Sequence, residues 1–210
     1  MNIHLLASED FVVFTTRRYA YTAGLSISSA TKQLTRRSKG GLITKITRGV
    51  WANTQHPFFN ALACVPHLLN DEQGYVSFLS ALHRHGILSQ IPGTIQVATT
   101  GHSRTLKTSV GVFEFFQLKP ELMQQGVEWS TTHVPYLIAS AEKALIDTLY
   151  ISARRKKRFS KLPELDLNRG LCSTKRLFVL VDKLVLSKQI KSAIKNRLCN
   201  LMEGHDECPT

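Results

Sequence analysis

The chain has 210 residues, a formal net charge of +12 at pH 7 and a hydrophobic share of 43%. This length fits one large domain or a small domain plus a medium one, and the hydrophobic share excludes a disordered chain. No apolar run approaches the roughly 20 residues that span a bilayer. The N-terminus carries Glu9 and Asp10 without the basic segment of a signal peptide. The four cysteines form no Cys-x-x-Cys pair, so we expect no zinc site, no disulfide framework and a reducing cytoplasm.

The positive charge is concentrated at the two ends of the chain. Residues 1–60 contain eight Lys/Arg and two Asp/Glu, residues 61–150 contain five and seven, and residues 151–210 contain fourteen and six. A basic front and a basic tail around a near-neutral middle favour partners with phosphate backbones. For residues 175–197, a solvated helix face explains the charges equally well.

Two helices separated by a tight turn are predicted near the N-terminus. The first covers residues 15–23, and Gly24 lies in the turn that follows. Ser26 is a good N-cap for the second helix, because its side-chain oxygen can accept a hydrogen bond from a free amide of the first turn. Apolar residues at helical spacing predict the buried side of this second helix; they are Ile27, Ala30 and Leu34.

A β-hairpin is predicted directly after the second helix. Two glycines at 40–41 end the helix, and short strands at 42–46 and 50–51 flank a turn at 47–49. Trp51 is predicted to anchor this hairpin in the core. The order helix, turn, helix, basic hairpin is typical of a winged helix-turn-helix, which binds duplex DNA.

The exposed side of the second helix and its flanks supply the candidate DNA contacts. This side is polar and basic, as a helix in a major groove requires. Arginine pairs with guanine through two parallel hydrogen bonds, whereas lysine more often holds a phosphate. The candidate residues are Arg17, Arg18, Ser28, Ser29, Thr31, Lys32, Thr35, Arg36, Arg37, Lys45 and Arg48.

Helices and short strands are predicted in the remaining chain. Residues 53–57 have the polar, proline-containing composition of a linker, and residues 58–69 are apolar and partly helical. Ser140 is predicted to cap one of the later helices. The predicted helices cover residues 72–85, 141–153, 173–186 and 187–202. The predicted strands cover residues 95–99, 110–118 and 134–138, with a polar basic loop at 101–107.

The whole pattern predicts an α+β protein with two domains. A winged helix-turn-helix domain occupies residues 1–56. It is followed by a C-terminal α/β domain at residues 57–210, in which helices cover a small sheet and the tail is basic and helical. Apolar periodicity across several elements predicts that the 57–210 fragment folds on its own.

Four segments in this order resemble the AbiEi antitoxins of type IV toxin–antitoxin systems. They are the hairpin at 40–51, YVSFLSALHRHG at 75–86, the stretch at 89–99, and ASAEKALID at 139–147. The resemblance covers roughly residues 14–155. It implies a cytoplasmic repressor of its own operon that binds operator repeats through the N-terminal domain. It also implies a C-terminal domain with antitoxin activity against a nucleotidyltransferase toxin, with no stable toxin complex required.

Other readings assign the C-terminal part a different role. A nuclease would use its acidic residues, but no compact motif joins Glu114, Glu121, Glu128 and Asp147. Lys143 and Asp147 are one helical turn apart, so a local ion pair is the simpler expectation. A repressor with a small-molecule-sensing domain would need an apolar pocket. We therefore predict no catalytic residue, metal or cofactor, and no membrane partner, and the oligomeric state stays open.

Two further features have alternative interpretations. His83 and His85 are two positions apart on a predicted helix and point to different sides, so a shared metal ion is disfavoured. The five consecutive basic residues at 154–158 form either a solvated turn or a contact with nucleic acid or an acidic partner.

Overall fold

The computed structural model describes residues 4–154, 159, 162–166 and 172–202. Within these residues the fold is a mixed α+β arrangement with seven α-helices and two β-sheets. The helices α1 to α7 are Thr16–Ala23, Ile27–Lys39, Val65–Leu68, Phe78–Arg84, Ala141–Arg154, Thr174–Lys183 and Lys188–Met202. The strands β1 to β9 are Val13–Thr15, Thr44–Thr47, Val50–Ala52, Gly74–Val76, Ile95–Thr99, Arg104–Thr108, Gly111–Gln117, Val127–Trp129 and Leu137–Ala139.

The N-terminal part contains α1 and α2 inserted between strands of a three-stranded antiparallel sheet. Its strand order is β1-β3-β2. The predicted cap is present, since Ser26 accepts a hydrogen bond from the amide of Ser29 at 3.2 Å. Thr15, predicted as the first residue of α1, instead caps this helix by accepting a hydrogen bond from the amide of Arg18 at 3.1 Å. Gly24 ends α1 with a left-handed φ of 64°, which permits the sharp turn into α2.

Both faces of the three-stranded sheet carry buried apolar residues. Phe14 of β1 and Trp51 of β3 pack with α1 and α2 in one apolar cluster. Their neighbours Val13, Val50 and Ala52, together with Ile46 of β2, belong to the cluster that continues into the rest of the protein. This alternation is the period of two expected of a strand. The N-terminal sheet therefore contributes side chains to two hydrophobic cores, one on each face.

The segment predicted as a linker is bonded to the N-terminal part. The Asn53 amide donates to the carbonyl of Val12 at 2.9 Å, and the Asn53 side chain donates to Leu6 at 3.0 Å. The side-chain amide of Gln55 donates to Gly41 at 3.3 Å. These contacts fix how the chain leaves β3.

The larger sheet has six strands in the order β6-β7-β5-β4-β9-β8, with parallel and antiparallel pairs. Helix α5 is buried from Ala141 to Ser152 and packs against α4, α6 and α7. The predicted cap is present, since Ser140 accepts a hydrogen bond from Lys143 at 3.2 Å. The predicted Lys143–Asp147 ion pair is also present and buried.

Several predicted elements differ from the structure. The first residues of the helix predicted at 72–85 form β4, and α4 begins only at Phe78. The polar loop predicted at 101–107 is largely the edge strand β6, which pairs with β7 along its length. The strand predicted at 134–138 is displaced to Leu137–Ala139, and β1 and β8 are additional. These strands are three to five residues long. β1 pairs with β3, and β4 with β9, over a long distance in sequence, whereas β6 pairs with the adjacent β7.

Of the three cysteines that the structure describes, one contradicts the expectation of no disulfide. Cys199 in α7 is disulfide-bonded, whereas Cys64 and Cys172 are free and buried. Burial raises the pKa of the Cys64 thiol to about 12, which suits a packing role more than a reactive one. None of the helices in the described part of the chain combines the length and apolarity that a bilayer crossing requires.

Candidate nucleic-acid interface

The buried side of α2 is narrow. Ala30 and Leu34 are completely buried in the N-terminal cluster, and these two residues hold the helix against α1 and the sheet. Ile27 was predicted to share that side, but its side chain is 53% exposed. Ile27 is the first residue of the helix and lies outside the N-terminal cluster. The prediction from helical spacing that Ile27 is buried is therefore wrong.

Two parallel rows of exposed residues cover the opposite side of α2. Residues four positions apart are neighbours on a helix surface. One row consists of Ser28, Lys32 and Arg36, and the other consists of Ile27, Thr31 and Thr35; all six are exposed. We name these the donor row and the methyl row.

The two rows differ in what they can offer a ligand. The side chains of the donor row carry a hydroxyl, an ammonium and a guanidinium group, each of which donates hydrogen bonds. In the methyl row, the hydroxyls of Thr31 and Thr35 donate to the carbonyls of Ile27 and Thr31, each at 2.8 Å. Their hydrogens are therefore committed to the helix itself. This row presents methyl groups and hydroxyl lone pairs.

A third row on α2 is occupied by internal contacts. Ser29 is hydrogen-bonded to Ser26 through both its hydroxyl and its amide. Gln33 accepts a hydrogen bond from the Tyr19 hydroxyl at 3.1 Å, and the Arg37 guanidinium carbon lies 5.5 Å from the centre of the same tyrosine ring. Of the candidate DNA contacts, Ser29 and Arg37 thus have structural partners in this conformation.

The two arginines of α1 have different surroundings. Arg17 is exposed and lines a surface hollow of about 610 Å³, which Ile27 and Arg48 also line. Arg18 forms an ion pair with Asp10 at 2.8 Å, with both side chains more than half exposed. Burial, and secondarily the charge of Arg18, lowers the pKa of His67, which lines the same hollow.

Arg48 is held next to the start of α1. It occupies the turn between β2 and β3, where Gly49 has a left-handed φ of 78°. The Gly49 carbonyl accepts a hydrogen bond from the Thr16 amide at 2.8 Å, and Thr16 in turn accepts one from the Trp51 indole at 2.8 Å. Trp51 is 2% exposed, so its predicted role as a core anchor is confirmed. This chain of contacts places Arg48 beside Arg17.

Lys45 lies on β2 where the two sheets meet. Its ammonium nitrogen is 5.8 Å from the centre of the Trp51 ring, and its side chain is exposed. Its carbonyl accepts a hydrogen bond from the hydroxyl of Ser109, which lies in the turn between β6 and β7. The position of Lys45 is therefore fixed from both parts of the molecule.

The electrostatic character of this surface follows directly from the sequence. Residues 11–70 contain eight Lys/Arg and no Asp or Glu. The exposed rows of α2 and the hollow beside it therefore have few acidic neighbours; Asp71, at the hollow's edge, is one. Such a surface attracts polyanions at long range.

The acidic residues considered for a nuclease do not form a metal-binding cluster. In the described residues, no group of three His, Cys, Asp or Glu is close enough to hold an ion. Asp147 instead accepts hydrogen bonds from Tyr75 at 2.9 Å and Ser77 at 2.8 Å, beside its pairing with Lys143. Burial, and then the Asp147 charge and hydrogen bond, raises the pKa of Tyr75 well above its usual value.

The two histidines of α4 and its C-cap have hydrogen-bond partners, and the basic run at 154–158 is only partly described. A ring nitrogen of His83 contacts the carbonyl of Leu88 at 2.9 Å, and one of His85 contacts that of Ala139 at 2.7 Å. Of the basic run at 154–158, only Arg154 is described; it stacks on Tyr150 and donates to its hydroxyl at 2.9 Å. Residues 155–158 lie outside the described residues.

No protein-family model matches the chain, and no curated protein matches it at a significant level of sequence similarity. The resemblance to AbiEi antitoxins therefore depends on the sequence motifs alone.

Proposed function

We propose that the protein binds duplex DNA through a winged helix-turn-helix formed by its N-terminal part. In this proposal α1 is the supporting helix, α2 enters the major groove, and the β2–β3 hairpin is the wing. The strand order β1-β3-β2 around two consecutive helices supports this assignment. The single observation on which the proposal depends is the exposed, basic and acid-free side of α2.

The contacts divide into two kinds in this proposal. The donor row reads base edges, because arginine and lysine donate to O6 and N7 of guanine. Arg17 and Arg48, which both line the hollow beside the start of α2, hold backbone phosphates and set the register of the helix in the groove. Lys45 extends the phosphate contacts along the wing.

We further propose that the DNA is the operator of the protein's own operon and that the protein is an antitoxin. This part depends on the resemblance of residues 14–155 to AbiEi antitoxins, whose partner toxins are nucleotidyltransferases. The protein is then a transcriptional autorepressor of a type IV, abortive-infection system.

Salt dependence of DNA binding tests the first part of the proposal. The full-length protein is expected to bind DNA from upstream of its own gene, with an affinity that falls steeply as salt rises. Arg48→Ala should lower the slope of log K against log salt by about one unit, because one phosphate contact is lost. Fluorescence anisotropy over a salt series measures this slope. An affinity that stays constant from low to moderate salt contradicts the electrostatic model.

Co-expression tests the antitoxin part. A neighbouring nucleotidyltransferase gene is expected to arrest growth when it is expressed alone, and the full-length protein should relieve the arrest. Because Arg48→Ala weakens only the DNA contact, this variant should still relieve the arrest when both genes are driven from foreign promoters. Continued arrest with a folded wild-type protein contradicts the antitoxin assignment and leaves the DNA-binding assignment standing.

The nuclease alternative has a distinct outcome. It requires cleavage of DNA in the presence of Mg²⁺ and loss of cleavage in Glu114→Ala or Asp147→Ala. We expect no cleavage, because the Asp147 carboxylate is already occupied by Lys143, Tyr75 and Ser77.

A further inference from the structure

We infer that the methyl row of α2 selects thymine, through contacts between its aliphatic groups and thymine 5-methyl groups in the major groove. The inference rests on the proposed DNA-binding function and adds a specificity that basic residues cannot provide. It assigns Ile27, Thr31 and Thr35 as specificity-determining residues.

Ile27 is exposed at the start of α2. A 53% exposed isoleucine at the first turn of α2 contributes little to the core, and its neighbours Ser28 and Thr31 are exposed as well. The N-terminal residues of a recognition helix are those that contact base edges. Ile27 is therefore at the position where an apolar group reaches a base rather than a backbone phosphate.

Thr31 and Thr35 hydrogen-bond to their own helix. Each hydroxyl donates to a carbonyl of its own helix at 2.8 Å, so neither hydrogen is available to a base acceptor. These exposed side chains can still offer hydroxyl lone pairs to a base donor, and a methyl group for van der Waals contact. Together with Ile27 they form a continuous aliphatic strip, with one side chain on each successive helical turn.

The major groove distinguishes thymine by an apolar group. Among the four bases, only thymine presents a methyl group there, and apolar side chains are its natural contacts. The donor row runs parallel to the strip and matches the acceptors of guanine. Arg17 and Arg48 lie beside Ile27 around one hollow, so phosphate contacts at this end would press the strip against the base edges.

The experiment replaces thymine by uracil, which keeps base pairing and removes only the methyl group. The preferred site of the full-length protein is first selected from a random duplex library. Each thymine of that site is then replaced singly, and affinities are measured for the wild type, Ile27→Ala, Thr31→Ser and Thr35→Ser. The two serine variants retain the hydroxyl that bonds to the helix and lose only the methyl group.

For the wild type, at least one replacement should weaken binding about fourfold, which is the effect of roughly 0.8 kcal/mol for one buried methyl group. At that position, one of the three variants should bind thymine and uracil duplexes equally well. Val185→Ala, which alters a 72% exposed aliphatic residue far along the chain from α2, should behave as the wild type does. Thermal melting confirms that each variant is folded.

Three outcomes overturn the inference. If all variants retain the sensitivity of the wild type to uracil, the methyl row does not contact thymine. If no single replacement affects the wild type, the selected site is not read through methyl groups. If selection yields no preferred sequence and the protein binds no duplex above background, the proposed function fails together with the inference.

Discussion

Arg36 and Arg37 are adjacent in the chain but have different surroundings. Arg36 is exposed at the end of the donor row, whereas Arg37 is half-buried and lies over the ring of Tyr19. One residue earlier or later on a helix changes the direction of a side chain by about 100°. Residue type and charge are the same, so the fold alone separates their expected roles.

Alanine substitution of each arginine should therefore have a different effect. Arg36→Ala is expected to weaken binding to the selected DNA site by about 1–3 kcal/mol more than binding to random DNA, because a base contact is lost. Arg37→Ala should mainly lower the free energy of unfolding, by about 0.5–1 kcal/mol, because the cation–π contact is lost. Anisotropy titrations on both duplexes and urea unfolding measure the two effects. Equal losses on both duplexes for Arg36→Ala would assign this residue to a phosphate.

The buried ion pair of α5 joins this helix to the sheet. Lys143 and Asp147 are 1% and 2% exposed, and Asp147 also accepts hydrogen bonds from Tyr75 of β4 and from Ser77, which follows β4. Ser77 occupies the N-cap position of α4, but its hydroxyl donates a hydrogen bond to Asp147 and accepts none from the amides of α4. The carboxylate thus ties together the strand, the start of α4 and the middle of α5.

Removal of the ammonium group should destabilise the protein strongly. Lys143→Met leaves a buried carboxylate with only two neutral donors, and we expect a loss of about 3–5 kcal/mol in the free energy of unfolding. The double variant Lys143→Met with Asp147→Leu should lose less than the single variant, because no uncompensated charge remains. Urea unfolding of the three proteins gives the comparison. A double variant that is less stable than Lys143→Met would show that the hydrogen bonds of Asp147 dominate.

Local signals allowed the long elements to be predicted from sequence. The boundaries of α1, α2 and α5 follow from caps at Thr15, Ser26 and Ser140, and the caps are local interactions. In α7, which lies within the helix predicted at 187–202, Ile194 and Leu198 are one helical turn apart and completely buried.

The short strands could not be predicted in the same way. Asn70 and Asp71 resemble a helix cap, but the residues that follow them form β4, whose pairing partners are β5 and β9. Tyr75 is held by Asp147, 72 residues further along the chain. Strand β6 has alternating polar residues and gains its structure from the apolar β7 beside it. The decisive contacts of β4 are distant in sequence, whereas β6 forms a hairpin with β7 and depends on the apolar side chains of that neighbouring strand.

The sequence predicts the polar and basic residues of the candidate interface, but it does not predict that Ile27 is exposed there. The polar or basic character and the helical position of the donor-row residues predict their exposure. Ile27 was assigned to the core because apolar residues at helical spacing normally share a buried side. Its position at the very start of α2, outside the cluster formed by Ala30 and Leu34, depends on where the core ends in three dimensions.

At the scale of the whole molecule, the N-terminal sheet belongs to both cores. Val13, Ile46, Val50 and Ala52 are all at most 6% exposed and pack in the cluster that contains the central strands of the larger sheet. Each fully buried valine or isoleucine contributes about 1.5–3 kcal/mol. Domain stabilities are about 5–15 kcal/mol, so this contribution is large enough to couple the folding of the two parts.

The full chain is therefore expected to unfold in one cooperative transition, and the isolated 57–210 fragment should be less stable than the same residues in the full chain. In the fragment, the apolar surface that Val13, Ile46, Val50 and Ala52 cover in the full chain is exposed to water. This exposure lowers the free energy of unfolding of the fragment, and so opposes the independent folding that its periodicity predicts. Hydrogen exchange on the full chain measures the coupling, because amides of α2 and α5 should exchange through one common opening. Operator DNA at a free concentration of 100 times the Kd should then slow amide exchange in both helices, because binding raises the free energy of the common opening by about 2.7 kcal/mol. Protection gained by α2 alone, together with a fragment as stable as the full chain, would mean that the two parts fold independently despite the shared cluster.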